Sequence, residues 1–87
     1  MYHMVAVGEK YRHYKSTGGE DYTYEIVHIG FFQGEEAYDE SEVVIYKPLY
    51  TIDDLAPHIS VLVRPRAEFE GSVEYNGQTI QRFTLIS

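Results

Sequence analysis

Apolar and polar residues alternate in short runs along this chain, and helical periodicity is hard to find. The runs are rich in β-branched and aromatic residues and are broken by Gly, Pro, Asp and Asn, the pattern of strands separated by turns. It predicts strands over residues 10–15, 22–32, 42–50, 59–64, 72–75 and 79–86. Asn76-Gly77 marks a type I′ hairpin between the last two, because both residue types accept positive φ. Thr17-Gly18-Gly19-Glu20-Asp21 reads as the turn joining the first pair.

Two short helical turns interrupt this pattern. Thr51 is placed to cap one, with Asp54 at its third position and Pro57 to stop it; Pro65 is placed to start another that runs to Phe69. Residues 33–41 form a polar loop carrying Glu35, Glu36, Asp39 and Glu40, whose spacing lacks the alternate acids and central Gly of a calcium loop. It reads as a solvated connection. No repeat, linker or low-complexity segment divides the chain. The expectation is one β-rich domain over residues 1–87: a small bent antiparallel sheet or a partly open SH3-like barrel with one or two helical turns. Exposed edges in such a barrel would support pairing into a homodimer.

Within the fourth strand, Ile59, Val61 and Val63 make the more continuous apolar row and are predicted to face the core. Arg64 then looks outward with Leu62. Pro65 lacks an N–H, so the ladder should end there with Arg64 as the last strand residue. The opposite arrangement would draw Arg64 inward, where it would need a carboxylate partner such as Glu25, Glu68 or Glu70.

Composition narrows the function classes. Nine Tyr, four Phe and no Trp point to a core rim of amphipathic rings. The absence of Cys excludes disulfides, thiolate metal sites and thiol nucleophiles. No apolar run reaches the roughly 18 residues of a membrane span, and the first five residues lack the pattern of a signal peptide. A soluble cytoplasmic protein is therefore expected. The net charge of −7 opposes generic nucleic-acid binding, since phosphate affinity comes mainly from cations.

Against that acidic background, Lys10-Tyr11-Arg12-His13-Tyr14-Lys15 gathers nearly half of the basic charge. As a strand it puts Lys10, Arg12 and Tyr14 on one face and Tyr11, His13 and Lys15 on the other. The structural interpretation is an edge strand with Tyr11 inward and charges that discourage aggregation. The functional one has Arg12 and His13 lining a groove for an anionic group. Arg64 and Arg82 each read first as a structural ion-pair partner and second as a binding residue, and convergence of Arg12, Arg64 and Arg82 would make an anion pocket. Tyr46 suits cross-strand aromatic packing; Tyr50, at a strand end, suits an exposed stacking platform.

The four His are scattered, and His28, in an apolar run, reads as half-buried. They offer no i, i+4 metal pair, and no nucleophile elbow or phosphate-cradling loop is present. The sequence thus points to no catalytic residue, no metal and no cofactor.

Gly8 followed by residues 10–15, Val44-Ile45-Tyr46 with Leu49-Tyr50, Val63-Arg64-Pro65 with Phe69, and Gly77 followed by Arg82-Phe83 together resemble a family of small bacterial proteins known only as domain of unknown function 1653. The likeness spans nearly the whole chain in order. The chain departs from that pattern at Leu62, where members carry Trp, and at Gln81, where they carry Pro. Its first turn is longer, and Phe31-Phe32-Gln33 stands where many members have an Arg-His pair. The resemblance implies no reaction, cofactor or partner; it implies that Arg12, His13, Tyr50, Arg64 and Arg82 belong to a shared pattern. The expected function is a non-catalytic binding or adaptor module for a protein or peptide. The alternative is recognition of RNA, a nucleotide or another anionic small molecule at the Arg/Tyr patch.

Overall fold

A computed structural model describes residues 4–34 and 41–87. Seven strands, β1 (Lys10–His13), β2 (Thr23–Phe31), β3 (Glu42–Pro48), β4 (Leu62–Pro65), β5 (Ser72–Tyr75), β6 (Gln78–Gln81) and β7 (Phe83–Leu85), are joined by one helical turn, α1 (Arg66–Phe69). Five form an antiparallel sheet in the order β4-β3-β2-β1-β7, and β5 and β6 form a separate hairpin. No β4–β7 pairing is present among the described residues, so the sheet stays open and no closed barrel forms. The last predicted strand is two: Arg82 breaks it between β6 and β7, where its N–H donates to Gly71 O at 3.0 Å.

Local chemistry explains much of this. Asn76 and Gly77 adopt φ of 52° and 77°, the left-handed pair a two-residue hairpin requires. Pro65 precedes α1 in an extended conformation and starts it, as expected. The turn predicted after Thr51 is not helical; it keeps only an isolated Leu55 N to Ile52 O bond of 3.2 Å. Five residues between a cap and a proline are too few to propagate a helix without packing to hold them.

The core is largely aromatic. Phe69 from α1 stacks on Phe83 from β7, centroids 3.9 Å apart and planes 5° from parallel. Tyr11 and Tyr46 each meet Phe69 edge-on at 5.3 Å. Tyr24, Ile26 and Val44 fill the space between, with Leu62, Ile29 and Tyr50 at its margin. The segment before β1 is strapped over this core: Val5 N donates to Glu70 Oε2 at 2.9 Å, and Arg66 donates to Val5 O at 3.1 Å. A β-bulge between Ile26 and His28 lets β2 change phase mid-strand. His28 is exposed there rather than half-buried.

Two further expectations are overturned. β1 is not an edge; β7 pairs with it on the side away from β2, so the edges are β4 and β7. In β4 the phase is the reverse of the one expected. Leu62 packs toward the core and Arg64 follows it inward, while Ile59, Val61 and Val63 are 41%, 44% and 63% exposed. Alternation fixes which residues share a face but not which face turns inward, and the large Tyr46 and Phe83 rings offer Leu62 and Arg64 more contact.

Candidate functional site

Of the five residues singled out from the sequence, His13, Tyr50 and Arg64 border one aromatic cluster on the inner face. His13 lies beneath Tyr22, stacked at 5.7 Å, beside Tyr14 at 4.5 Å and edge-on to Phe83 at 5.0 Å. Tyr50 shares a 3.0 Å hydrogen bond with Tyr24 through their hydroxyls and leans on Tyr22 at 5.8 Å. Arg64 holds its guanidinium carbon 5.4 Å from the Phe83 ring centre. Arg82 adjoins Phe83 in sequence, and its carbonyl accepts from Tyr14 N at 3.0 Å. Arg12 stands apart. Its strand neighbours Tyr11 and His13 are buried inward, so it shares the outer face with Thr23 and Thr84 and donates to Gly19 O at 3.2 Å. Arg12 and His13 therefore do not line one groove.

Arg64 is heavily committed. Nε donates to the Tyr46 hydroxyl at 3.2 Å, and one terminal nitrogen meets Glu68 Oε1 at 2.5 Å, the partner one helical turn away. Arg66 is likewise held by Glu70 at 3.0 Å and Glu42 at 2.6 Å. These bridges join α1 to β3, β4 and the N-terminal strap.

Electrostatics follow from this burial. His13 is pushed down to about 4, first by burial and then by the charges of Arg64, Lys15 and Arg82, so it is neutral at pH 7. Its Nδ1 accepts from Lys15 N at 3.2 Å, which leaves the ring proton on Nε2. Burial, reinforced by the Tyr50 hydrogen bond, pushes the Tyr24 hydroxyl well above its ordinary value. Burial and Glu9 do the same for Tyr11. Neither phenol supplies a phenolate near neutral pH. Among the described residues no group of three His, Asp or Glu side chains is placed to hold a metal. Glu35, Glu36, Asp39 and Glu40 lie outside the described residues.

The family of proteins of unknown function DUF1653 matches residues 9–85. The chain belongs to that family. Comparisons with curated proteins and with solved structures return no match. The DUF1653 match runs from the residue before β1 to the last residue of β7, so it takes in the whole five-stranded sheet.

A second feature was not singled out from the sequence. Val63 and Pro65 of β4 pair with Ile45 and Val43 of β3, and Phe32, Val43, Val63, Arg64 and Pro65 line a mostly apolar groove of about 220 Å³. Gly30 opposite Val43 adds no side chain to this groove. The far edge of β4 makes no backbone hydrogen bond among the described residues. The signal was the apolar row 59–61–63 itself, which had been assigned to the core. No helix among the described residues is long and apolar enough to cross a membrane.

Proposed function

We propose that this chain is a non-catalytic module that binds an extended segment of a partner protein along the free edge of β4. One observation carries the reading: Ile59, Val61 and Val63 stand exposed on and beside a strand whose outer edge is unpaired among the described residues. A sheet edge presents a row of backbone donors and acceptors that an incoming strand can complete, while side-chain pockets supply selectivity. The groove of Phe32, Val43, Val63 and Pro65 is such a pocket.

The partner segment should alternate apolar residues with Lys or Arg. The chain carries a net charge of −7, the loop entering β4 bears Asp53 and Asp54, and the arginines nearby are neutralised by Glu68, Glu42 and Glu70. The same net charge opposes pairing between two copies of the chain. We place the module in the cytoplasm, in keeping with its lack of cysteine.

Fluorescence anisotropy with labelled peptides of about eight residues, the length of an ordinary strand, tests this. An alternating Val/Lys peptide should bind, and a scrambled or proline-interrupted one should not. Val63→Lys should weaken binding at least tenfold while changing stability by no more than about 0.5 kcal/mol, because the site is exposed. Equal binding by wild type and Val63→Lys would remove β4 as the docking edge.

A further inference from the structure

A cavity of about 210 Å³ lies where the N-terminal strap meets β7, and no residue of β4 lines it. Its walls come from Val5 of the strap, Phe69 and Glu70 of α1, Gln81 of β6 and three successive β7 residues, Phe83 to Leu85. A hollow lined by three residues in a row runs along the strand, so backbone as well as side chains borders it. Tyr14 N donates to Arg82 O and Ile86 N donates to Lys10 O, which turns the even-numbered residues of this segment toward β1. The backbone groups of Phe83 and Leu85 therefore point away from β1, along the free edge of the sheet that the cavity borders.

The lining is one-sided in charge. No Lys, Arg or His belongs to it, whereas Glu70 does, with a side chain only 7% exposed. Glu70 Oε2 accepts from Val5 N at 2.9 Å and from Arg66 Nε at 3.0 Å. Arg66 is shared, because another of its nitrogens meets Glu42 at 2.6 Å. One cation between two carboxylates leaves that group of three with a negative charge in excess. Glu9 adds another at the cavity wall, where it accepts from the Tyr11 hydroxyl at 2.8 Å. The rest of the wall is largely apolar: Val5, Phe69 and Phe83 are buried, and Leu85 is 43% exposed.

From this we infer a second binding site, independent of the β4 edge, in which the cavity receives a primary alkylammonium. The alkyl chain lies against Val5, Phe83 and Leu85, and the ammonium is directed to Glu70. Hydrocarbon joined to a compact cation is the chemistry that an apolar wall within a negative field selects. A primary ammonium carries three donors and no acceptor. The Glu70 carboxylate, the Gln81 amide oxygen and the outward β7 carbonyls supply acceptors to match them. A lysine side chain of a partner and a free alkylamine share this chemistry.

Proton–carbon NMR at pH 7, read at the Val5 and Leu85 methyl groups, tests the site with n-butylamine, charged at that pH, and 1-butanol, its neutral counterpart. Butylamine should shift both residues saturably with a Kd below roughly 10 mM, and butanol should bind at least about tenfold more weakly. Nα-acetyl-lysine N-methylamide tells the two sources apart: binding at least as tight as butylamine identifies a lysine side chain, and weaker binding a free amine. Glu70 also holds the strap, so the charge test is placed on Gln81, which is exposed and can change without disturbing the fold. Gln81→Lys should weaken butylamine binding about tenfold or more, while Gln81→Glu should not weaken it. No saturable shift with butylamine, equally tight binding of butanol, or equal effects of Gln81→Lys and Gln81→Glu would each overturn the site. Val63→Lys should bind butylamine as wild type does, so this site and the β4 edge fail separately.

Discussion

Arg64→Ala should destabilise the protein substantially. The side chain is drawn inward, where Nε donates to the hydroxyl of Tyr46, a residue only 3% exposed. Removing it takes away one hydrogen bond from a guanidinium that solvent partly screens, worth about 1 kcal/mol, and leaves a buried hydroxyl short of a partner, which costs a further ~1 kcal/mol. Loss of the cation from the Phe83 ring adds about 0.5–1 kcal/mol. The Glu68 pair adds little, about 0.5 kcal/mol, because Glu68 is 38% exposed and solvent screens it. The total is about 3 kcal/mol, which for a domain of this size lowers Tm by roughly 12–24 °C. Differential scanning calorimetry of wild type, Arg64→Ala, Tyr46→Phe and the double variant reads both the total and the coupling. The Arg64–Tyr46 coupling should be about 1 kcal/mol. A Tm for Arg64→Ala within a few degrees of wild type would refute the inward placement and restore the exposed, freely binding Arg64 that the apolar row suggested.

Phe69→Ala removes a ring that is 1% exposed and stacked on Phe83, so it should cost about 3–5 kcal/mol and leave the chain largely unfolded at 37 °C by circular dichroism. His13 gives a pH dependence of defined sign. Its folded value of about 4 lies below the unfolded 6.5, so the unfolded state binds the extra proton. Stability from this group is complete above about 6.5 and falls as the pH drops from 6.5 toward 4. The interval corresponds to at most about 3–4 kcal/mol, and solvent reaching the ring reduces it to ~1–2 kcal/mol. Urea unfolding at pH 7 and pH 4.5 should show a smaller acid loss for His13→Phe than for wild type; equal losses would contradict the buried neutral ring. Gly77→Ala should cost about 1 kcal/mol in hairpin stability, read as faster amide exchange in β5 and β6, because φ is +77° although nothing crowds a Cβ there.

The sequence carried the elements whose signals are local. Asn76-Gly77 specified its own hairpin, Pro65 specified the start of α1, and the alternation in residues 10–13 placed Tyr11 and His13 together on the buried face. Misread features depended on partners distant in the chain. Whether β1 is an edge depends on β7, which reaches it from the far end of the sequence. Whether Val63 or Arg64 faces inward depends on Tyr46 and Phe83, and both faces of β3 carry apolar residues, so hydrophobicity alone could not choose. The gathering of His13 and Arg64 around Phe83 follows from the same β1–β7 pairing. Arg12 was separated from His13 by alternation alone, and that separation was legible from the start.

The central claim, strand addition at β4, is tested most directly by residue-resolved amide hydrogen exchange with and without a bound alternating Val/Lys peptide. The account predicts new protection at alternate β4 amides, those directed away from β3, with β7 and the β5–β6 hairpin unchanged. Protection confined to β7, or binding that leaves every β4 amide exchanging at its free rate, would contradict it.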